Sequence, residues 1–287
     1  MDLSIIIVSF KVKDLLEECL SSIFAQNFNF NFEIIVFDNA SQDGSAEMVK
    51  QKFPQVKLIA SGKNLGFAAG NNLGLKISTG KHLLLLNPDT KFTDNSLNKL
   101  LAKSENNPEI GILGCNLLNA NGSPQPSVRR FPRLTDHLLM MLKLHHLFLL
   151  KKYLAVDFDY QKEAEVDQVM GAFMLIKRSV IDKIGLLDEK YYIWFEEVDY
   201  CLKAKKAGFK VVYSPESSII HYGEQSFRQM LIFKQQWIYS KSRLRFLRLH
   251  GYGLDYLLIL ILTPASLLLS AVYFKKWKTN YSTKNSK

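Results

Sequence analysis

Ser4-Ile5-Ile6-Ile7-Val8-Ser9-Phe10 opens the chain with a β-branched apolar run that stops at the charged Lys11, Lys13 and Asp14. A run this short, with no polar alternation, predicts a strand over 3–8 that is buried on both faces. Three more runs of the same kind follow at 33–37, 57–60 and 82–86. Between them the period changes. Leu15, Leu16, Cys19, Leu20 and Ile23 fall at helical spacing, and shorter helices are predicted over 46–53 and 68–77. Short buried strands alternating with helices are the pattern of a doubly wound, mostly parallel sheet. Such sheets bind ligands at the carboxyl ends of their strands. The residues there are polar: Ser9 after the first run, Asp38-Asn39-Ala40-Ser41 after the second and Asn87-Pro88-Asp89-Thr90 after the fourth.

With 287 residues and 47% hydrophobic content, the chain has room for one large α/β domain or two small ones, and disorder is not expected. Cys19, Cys115 and Cys201 are scattered and form no C-x-x-C pair, so neither a disulfide framework nor a cysteine zinc site is expected. A formal charge of +10 implies an anionic partner. Its placement narrows the choice: Arg243, Arg245, Arg248, Lys275, Lys276 and Lys278 flank an uncharged run at 256–274 that contains Pro264. Basic residues beside an apolar run favour a membrane surface over nucleic acid. The run is long enough for a span or a re-entrant hairpin, the alternative being a buried helix of a larger oligomer. The charged residues after the first run fit no secretory signal, so the catalytic part is expected on the cytoplasmic side.

Downstream, 122–132 reads as a surface loop rich in Gly, Ser and Pro. The leucine-rich 138–154 is either a membrane-lying helix or one that packs on the sheet and covers the site. An apolar segment with Gly171 follows, then a helix, then the aromatic cluster Tyr191-Tyr192-Ile193-Trp194-Phe195.

Asp38 can accept hydrogen bonds from a nucleobase or ribose, or close its strand as an Asx-turn. Gly66, Gly70 and Gly74 recur every four residues, which lets a backbone or a ligand approach closely, but they match neither a P-loop nor a dinucleotide fingerprint. Asp89 emerges from a run of leucines, where an acid is costly unless it caps a turn or binds something such as a divalent cation on a diphosphate. Glu196, Glu197 and Asp199 open a predicted helix; they favour its dipole, or, beside the aromatic cluster, supply a carboxylate that deprotonates an acceptor hydroxyl. His221 ends a strand-like run at 218–220 in a position to complete a metal site with Asp89.

Together these segments resemble the GT-A glycosyltransferases of family 2, especially the bacterial rhamnosyltransferase-like enzymes of cell-surface polysaccharide assembly. The resemblance runs from about residue 3 to 226 and rests on the order and spacing of 4–10, 38–45, 64–74, Asn87-Pro88-Asp89 and Phe195-Glu196-Glu197-Val198-Asp199-Tyr200-Cys201. It implies an α/β GT-A domain over 1–226, with a nucleotide-sugar half at 1–115 and an acceptor half at 116–226, followed by a membrane-associated region at 227–287. It implies a nucleotide-sugar site made of Val8, Ser9, Phe10, Asp38, Asn39, Asn64, Gly66, Phe67, Asn71, Asn87 and Asp89. Gly171, Trp194, Glu196 and Asp199 would meet the acceptor, and Asp89 and His221 would hold Mg²⁺ or Mn²⁺. Asn87 stands where the family's D-x-D element has its first Asp. The family's base falls on Glu197, where this chain has Glu for the usual Asp, with Glu196 as the fallback. The implied reaction is inverting transfer of a sugar, rhamnose first among candidates, from a dTDP- or UDP-sugar to a glycan or lipid-linked glycan. A nucleotidyltransferase or a non-catalytic membrane scaffold are the alternatives.

Overall fold

The computed structural model describes residues 1–144, 150–223, 232–251 and 253–284, the side chains of 232 and 271–284 excepted. The expected alternation is present as β1 (Leu3–Ser9), α1 (Lys13–Phe24), β2 (Phe32–Asp38), α2 (Ser45–Lys52), β3 (Lys57–Ala60), α3 (Phe67–Ile77) and β4 (His82–Leu86). β1 pairs in parallel with both β2 and β4, and β2 with β3. Successive side chains on a strand point to opposite faces. Ile5, Ile7, Leu84 and Leu86 accordingly join the core beneath α1 and α2, while Ile6, Leu83 and Leu85 join the one beneath α3. Both faces are covered, which is why the runs show no polar alternation. Each such side chain contributes about 1.5–3 kcal/mol by its burial.

The second half is less regular: β5 (Thr90–Phe92), α4 (Leu97–Asn106), β6 (Ile110–Leu118), β7 (Pro124–Gln125), β8 (Val128–Arg129), α5 (Leu134–Met141), β9 (Ala164–Glu165), β10 (Gln168–Val169), β11 (Phe173–Lys177), α6 (Arg178–Ile184), α7 (Glu196–Lys206) and β12 (Lys210–His221). The main sheet has the order β3-β2-β1-β4-β11-β6-β12-β5, with β7 beside β6 and β9 beside β12. β11 inserts antiparallel between β4 and β6, so the sheet is parallel on one side and mixed on the other. The segment 122–132 is not simply a loop: β7 lies on β6, and β8 pairs with β10 in a separate ribbon. Two-residue strands flanked by prolines are too short for periodicity to register.

α8 (Ile232–Leu249) and α9 (Gly253–Lys284) complete the chain. α8 packs against the preceding domain, because Phe246 enters the core with Phe195 and Tyr200. Arg245 also pairs with Asp188 at 2.8 Å. The segment 138–154 divides: Met141 of α5 is buried with Leu247 of α8 and Ile259 of α9, and 145–149 lie outside the described residues. α9 runs through Pro264 without interruption. Its outward face is apolar, with Leu254 at 84%, Ile261 at 73% and Leu268 at 71% exposure. The face turned toward the domain carries Thr263, Ser266 and Ser270, all buried, and Ser266 donates to the Met141 carbonyl at 3.0 Å. The window Gly253–Ser270 has a mean hydropathy of 1.8 and is long enough to cross a membrane.

Candidate active site

The carboxyl ends of β1 and β2 lie side by side, with Ser9 opposite Asp38 in register. Asp38 accepts from the Ser41 amide at 3.3 Å through Oδ2. Its Oδ1, the Ser9 hydroxyl and the side-chain Oδ1 of Asn71 are buried with no partner among the described residues. Three orphaned polar atoms on one rim are costly in an apolar setting and mark a surface built to meet polar ligand groups. Val8 is buried below them, and Phe10 is half-buried with Lys11 5.5 Å over its ring.

Other residues assigned to this rim serve as its frame. Asn39 accepts from the Leu65 amide at 2.7 Å and donates to the Gly66 carbonyl at 3.2 Å. Asn64 accepts from the Gly66 amide at 2.9 Å and from the Tyr192 hydroxyl at 2.7 Å. Asn71 donates to the Phe67 carbonyl at 3.0 Å. Gly66 has φ +88, and a Cβ there would lie 2.4 Å from the Tyr192 carbonyl oxygen. The same carbonyl accepts from the Phe67 amide at 2.7 Å. Gly70 and Gly74 admit the sheet rather than a ligand: a Cβ would lie 2.9 Å from Phe37 at Gly70 and 2.6 Å from Ile6 at Gly74.

Asp89 and His221 come together from the end of β4 and the end of β12, His221 Nε2 lying 3.4 Å from Asp89 Oδ1. Gln125 fixes the imidazole tautomer. Its Nε2 donates to Asn119 Oδ1 at 3.1 Å and to the His221 carbonyl at 3.2 Å, so its Oε1 must accept from His221 Nδ1 at 2.7 Å. The neutral ring then presents a lone pair at Nε2, toward Asp89 and toward the Asn87 amide at 3.4 Å. A carboxylate and an imidazole lone pair side by side, with a supporting acceptor behind the ring, suit a divalent cation. Among the described residues no third His, Cys, Asp or Glu joins them, which leaves positions for substrate oxygens.

Glu196 and Glu197 occupy the first turn of α7, reached through Trp194 and Phe195, both in the left-handed region at φ 64 and 71. Each carboxyl keeps a buried Oε2 without a hydrogen-bond partner. Burial pushes both pKa values up. Glu196 is held well above the ordinary range, first by burial and then by the charge of Glu197. For Glu197 burial is opposed by backbone donors of the helix start and by Arg129. A nearby cation thus opposes the upward push at Glu197, whereas at Glu196 the neighbouring charge adds to it. Glu197 borders a narrow cleft with Ser127, Arg129, Gln168 and Met170. A Cβ built at Gly171 would lie 3.7 Å from Glu197 and 3.9 Å from Phe67.

Asp199 is not in that cleft. Two residues along a helix is more than half a turn, and Asp199 points to the opposite side from Glu197. There it pairs with His250 at 2.8 Å and Lys203 at 2.6 Å and sits 3.4 Å from the Tyr191 hydroxyl. The aromatic cluster is partly core: Tyr191 and Phe195 are buried, while Tyr192, Ile193 and Trp194 are half-buried and Trp194 stands edge-on to Tyr239 at 5.8 Å. Sequence reading missed Arg129 and Gln125, both within the stretch taken for a loop. A basic residue and an amide among prolines carry no signal until folding brings them to Glu197 and His221.

The fold is that of solved GT-A enzymes: a mannosyltransferase from Pyrobaculum calidifontis, in complex with GDP-Man and Mn²⁺, superposes with a TM-score of 0.58 at 16% identity, over 94% of this chain and 75% of that one. The family model for glycosyl transferase family 2 matches residues 4–185, and the chain belongs to that family. Rhamnosyltransferase WbbL of Escherichia coli K12 is 27% identical over 252 residues, 85% of this chain and 91% of that protein. N-acetylglucosaminyl-diphospho-decaprenol L-rhamnosyltransferase of Mycobacterium tuberculosis is 26% identical over 211 residues, 67% of each. The chain is a glycosyltransferase, as its resemblance implied.

Proposed function

We propose that the chain transfers a sugar, rhamnose first among candidates, from a dTDP- or UDP-linked donor to a hydroxyl of a lipid-linked glycan, with inversion and with Mg²⁺ or Mn²⁺. What supports this reading is that Ser9 and Asp38 end β1 and β2 side by side, that Asp89 follows β4 beside His221, and that Gly171 lies near both Glu197 and Phe67. Asp38 and Ser9 offer acceptors to the nucleoside. Asp89 and His221 would hold the cation, which when bound offsets the charge of the departing diphosphate. Glu197 would take the proton of the acceptor hydroxyl as that oxygen attacks the anomeric carbon, with Arg129 opposing the upward push that burial gives its pKa. One in-line displacement of this kind inverts the configuration. The exposed apolar face of α9 and its basic flanks support attachment to the cytoplasmic face of a membrane, as do relatives whose names carry a lipid-linked sugar.

The test is nucleotide diphosphate release from a panel of dTDP-, UDP- and GDP-sugars, with and without Mn²⁺, for the wild type and Glu197→Gln. One donor should be turned over in the presence of metal. The substitution should lower transfer by about 10²–10⁴-fold while donor binding holds. Turnover like that of the wild type in Glu197→Gln would refute the assignment of the base.

A further inference from the structure

Length and hydropathy allow 253–270 of α9 to cross a bilayer, but the packing of that stretch opposes it. α8 runs antiparallel along α9. Toward one end Ser270 donates to Gln236 Oε1 at 3.5 Å, and toward the other Ile259 packs with Leu247. Between these contacts Ser266 is bonded to Met141 at the end of α5. Lys241, Arg243 and Arg245 of α8 fall between Gln236 and Leu247, and α8 has no acidic residue. Arg245 is tied to Asp188 at 2.8 Å and Phe246 lies in the domain core, so α8 belongs to the domain. A crossing α9 would carry these cations into hydrocarbon, where charged side chains are costly, or would tear away from α8 and break the bond from Ser266 to Met141.

The opposite face of α9 fits another arrangement. Leu254, Leu257, Ile261 and Leu268 are exposed at helical spacing and form one stripe. An apolar stripe on one side and a docked face on the other is the profile of a helix that lies in a membrane interface. Two features of α8 name a lipid leaflet as the occupant. Phe233 and Trp237 are exposed one turn apart, at 61% and 45%, with Lys241 5.1 Å over the Trp237 ring. Tryptophan beside a cation suits the level of the headgroups. Lys234, Lys241 and Arg248, all exposed, add charge complementary to anionic lipid.

We infer that α9 lies in the plane of the membrane, docked on the domain along 253–270, with its exposed stripe in one leaflet and no crossing of the bilayer. This arrangement presupposes the membrane attachment proposed above and specifies its geometry. The stripe enters to a depth of about 5–10 Å, at the boundary of headgroups and acyl chains.

The test reads depth along the helix in full-length protein bound to phosphatidylglycerol vesicles. Leu254→Cys, Ile261→Cys and Leu268→Cys are each labelled with a nitrobenzoxadiazole fluorophore, the native Cys19, Cys115 and Cys201 being buried. Lipids spin-labelled near the headgroup or deep in the acyl chain serve as quenchers. Positions 254 and 268 stand about 21 Å apart along a helix. An in-plane helix gives the three labels one shallow depth, with shallow-to-deep quenching ratios that agree within about twofold. A ratio several-fold lower at 261 than at 254 and 268 is the profile of a span and overturns the inference. The paired substitution Ile261→Asp and Leu268→Asp should weaken vesicle partition by about tenfold or more, with the thermal unfolding temperature in solution unchanged. Unchanged partition overturns the inference. So does a dimer in vesicle-free solution that the same pair dissociates, because a second copy of the chain would then cover the stripe. Wild-type protein that fails to bind anionic vesicles sinks the membrane attachment itself, whereas bound protein with a graded depth profile defeats only the in-plane arrangement.

Discussion

Protonating Glu33 should weaken the junction of β1, β2 and β3 far from any ligand. Glu33 sits on β2 with 8% exposure. Its Oε1 accepts from the Ser4 hydroxyl at 2.6 Å and from the Thr79 amide and hydroxyl at 2.7 and 2.8 Å, and its Oε2 from Lys57 at 2.6 Å. Burial alone would raise its pKa, but these four donors prevail and hold it at about 2 instead of 4.5. At about 1.4 kcal/mol per pH unit, that depression is worth about 3 kcal/mol. The sign follows from which form the fold prefers. The folded chain favours the carboxylate, so the stabilisation is complete above pH 4.5 and is lost as pH falls from 4.5 through 2. Urea unfolding of the wild type and Glu33→Gln at pH 7, 4.5 and 3 measures it. Glu33→Gln should cost about 3 kcal/mol at pH 7, and the gap should narrow at each lower pH. A gap independent of pH would refute the reasoning, because a packing defect would not titrate.

Glu196→Gln should keep transfer within a few-fold of the wild type, since Glu197 and not Glu196 borders the cleft with Arg129, and a loss as deep as that of Glu197→Gln would move the base to Glu196. Arg129→Gln should shift the acidic limb of the kcat/KM profile to higher pH, because removing a nearby cation raises the pKa of Glu197; a limb that stays in place would disconnect the two residues. Gln125→Leu should weaken Mn²⁺ binding to the nucleotide complex by about 10–100-fold, read by electron paramagnetic resonance, because the imidazole of His221 loses the acceptor that fixes its tautomer.

The first half of the fold was legible because its strands are buried on both faces and its helices carry apolar stripes, two patterns that differ in period. Asp38 and Asp89 could be found because such a sheet offers its strand ends to ligands. The second half resisted for a physical reason. β11 runs antiparallel between β4 and β6, a choice made by long-range pairing that leaves no mark in the run 173–177. Gly66 was noticed for its spacing, yet its role lies in a left-handed turn against the Tyr192 carbonyl, a contact 126 positions away in the chain and invisible before folding. Glu196, Glu197 and Asp199 looked like one acidic group in sequence. Helical geometry separates them, and only burial and Arg129 tell Glu197 from its neighbour.

That separation gives α7 two tasks at one end. On one side of its first turn Glu197 borders the cleft; on the other, Asp199 holds His250, the residue just beyond α8. Ser242 of α8 adds a bond to the Ile193 carbonyl at 2.8 Å, immediately before the left-handed Trp194 and Phe195 that lead into α7. Left-handed backbone at two bulky residues costs about 1–3 kcal/mol each and persists only where the surroundings enforce it. Here α8 supplies the enforcement, through Phe246 against Phe195 at 5.5 Å and through the Ser242 and His250 bonds. The helix that leads into α9 thus braces the turn that aims Glu197. If Glu197 is the base as proposed, its direction depends on the helix joined to the exposed apolar face of α9, the side from which a lipid-linked acceptor would arrive.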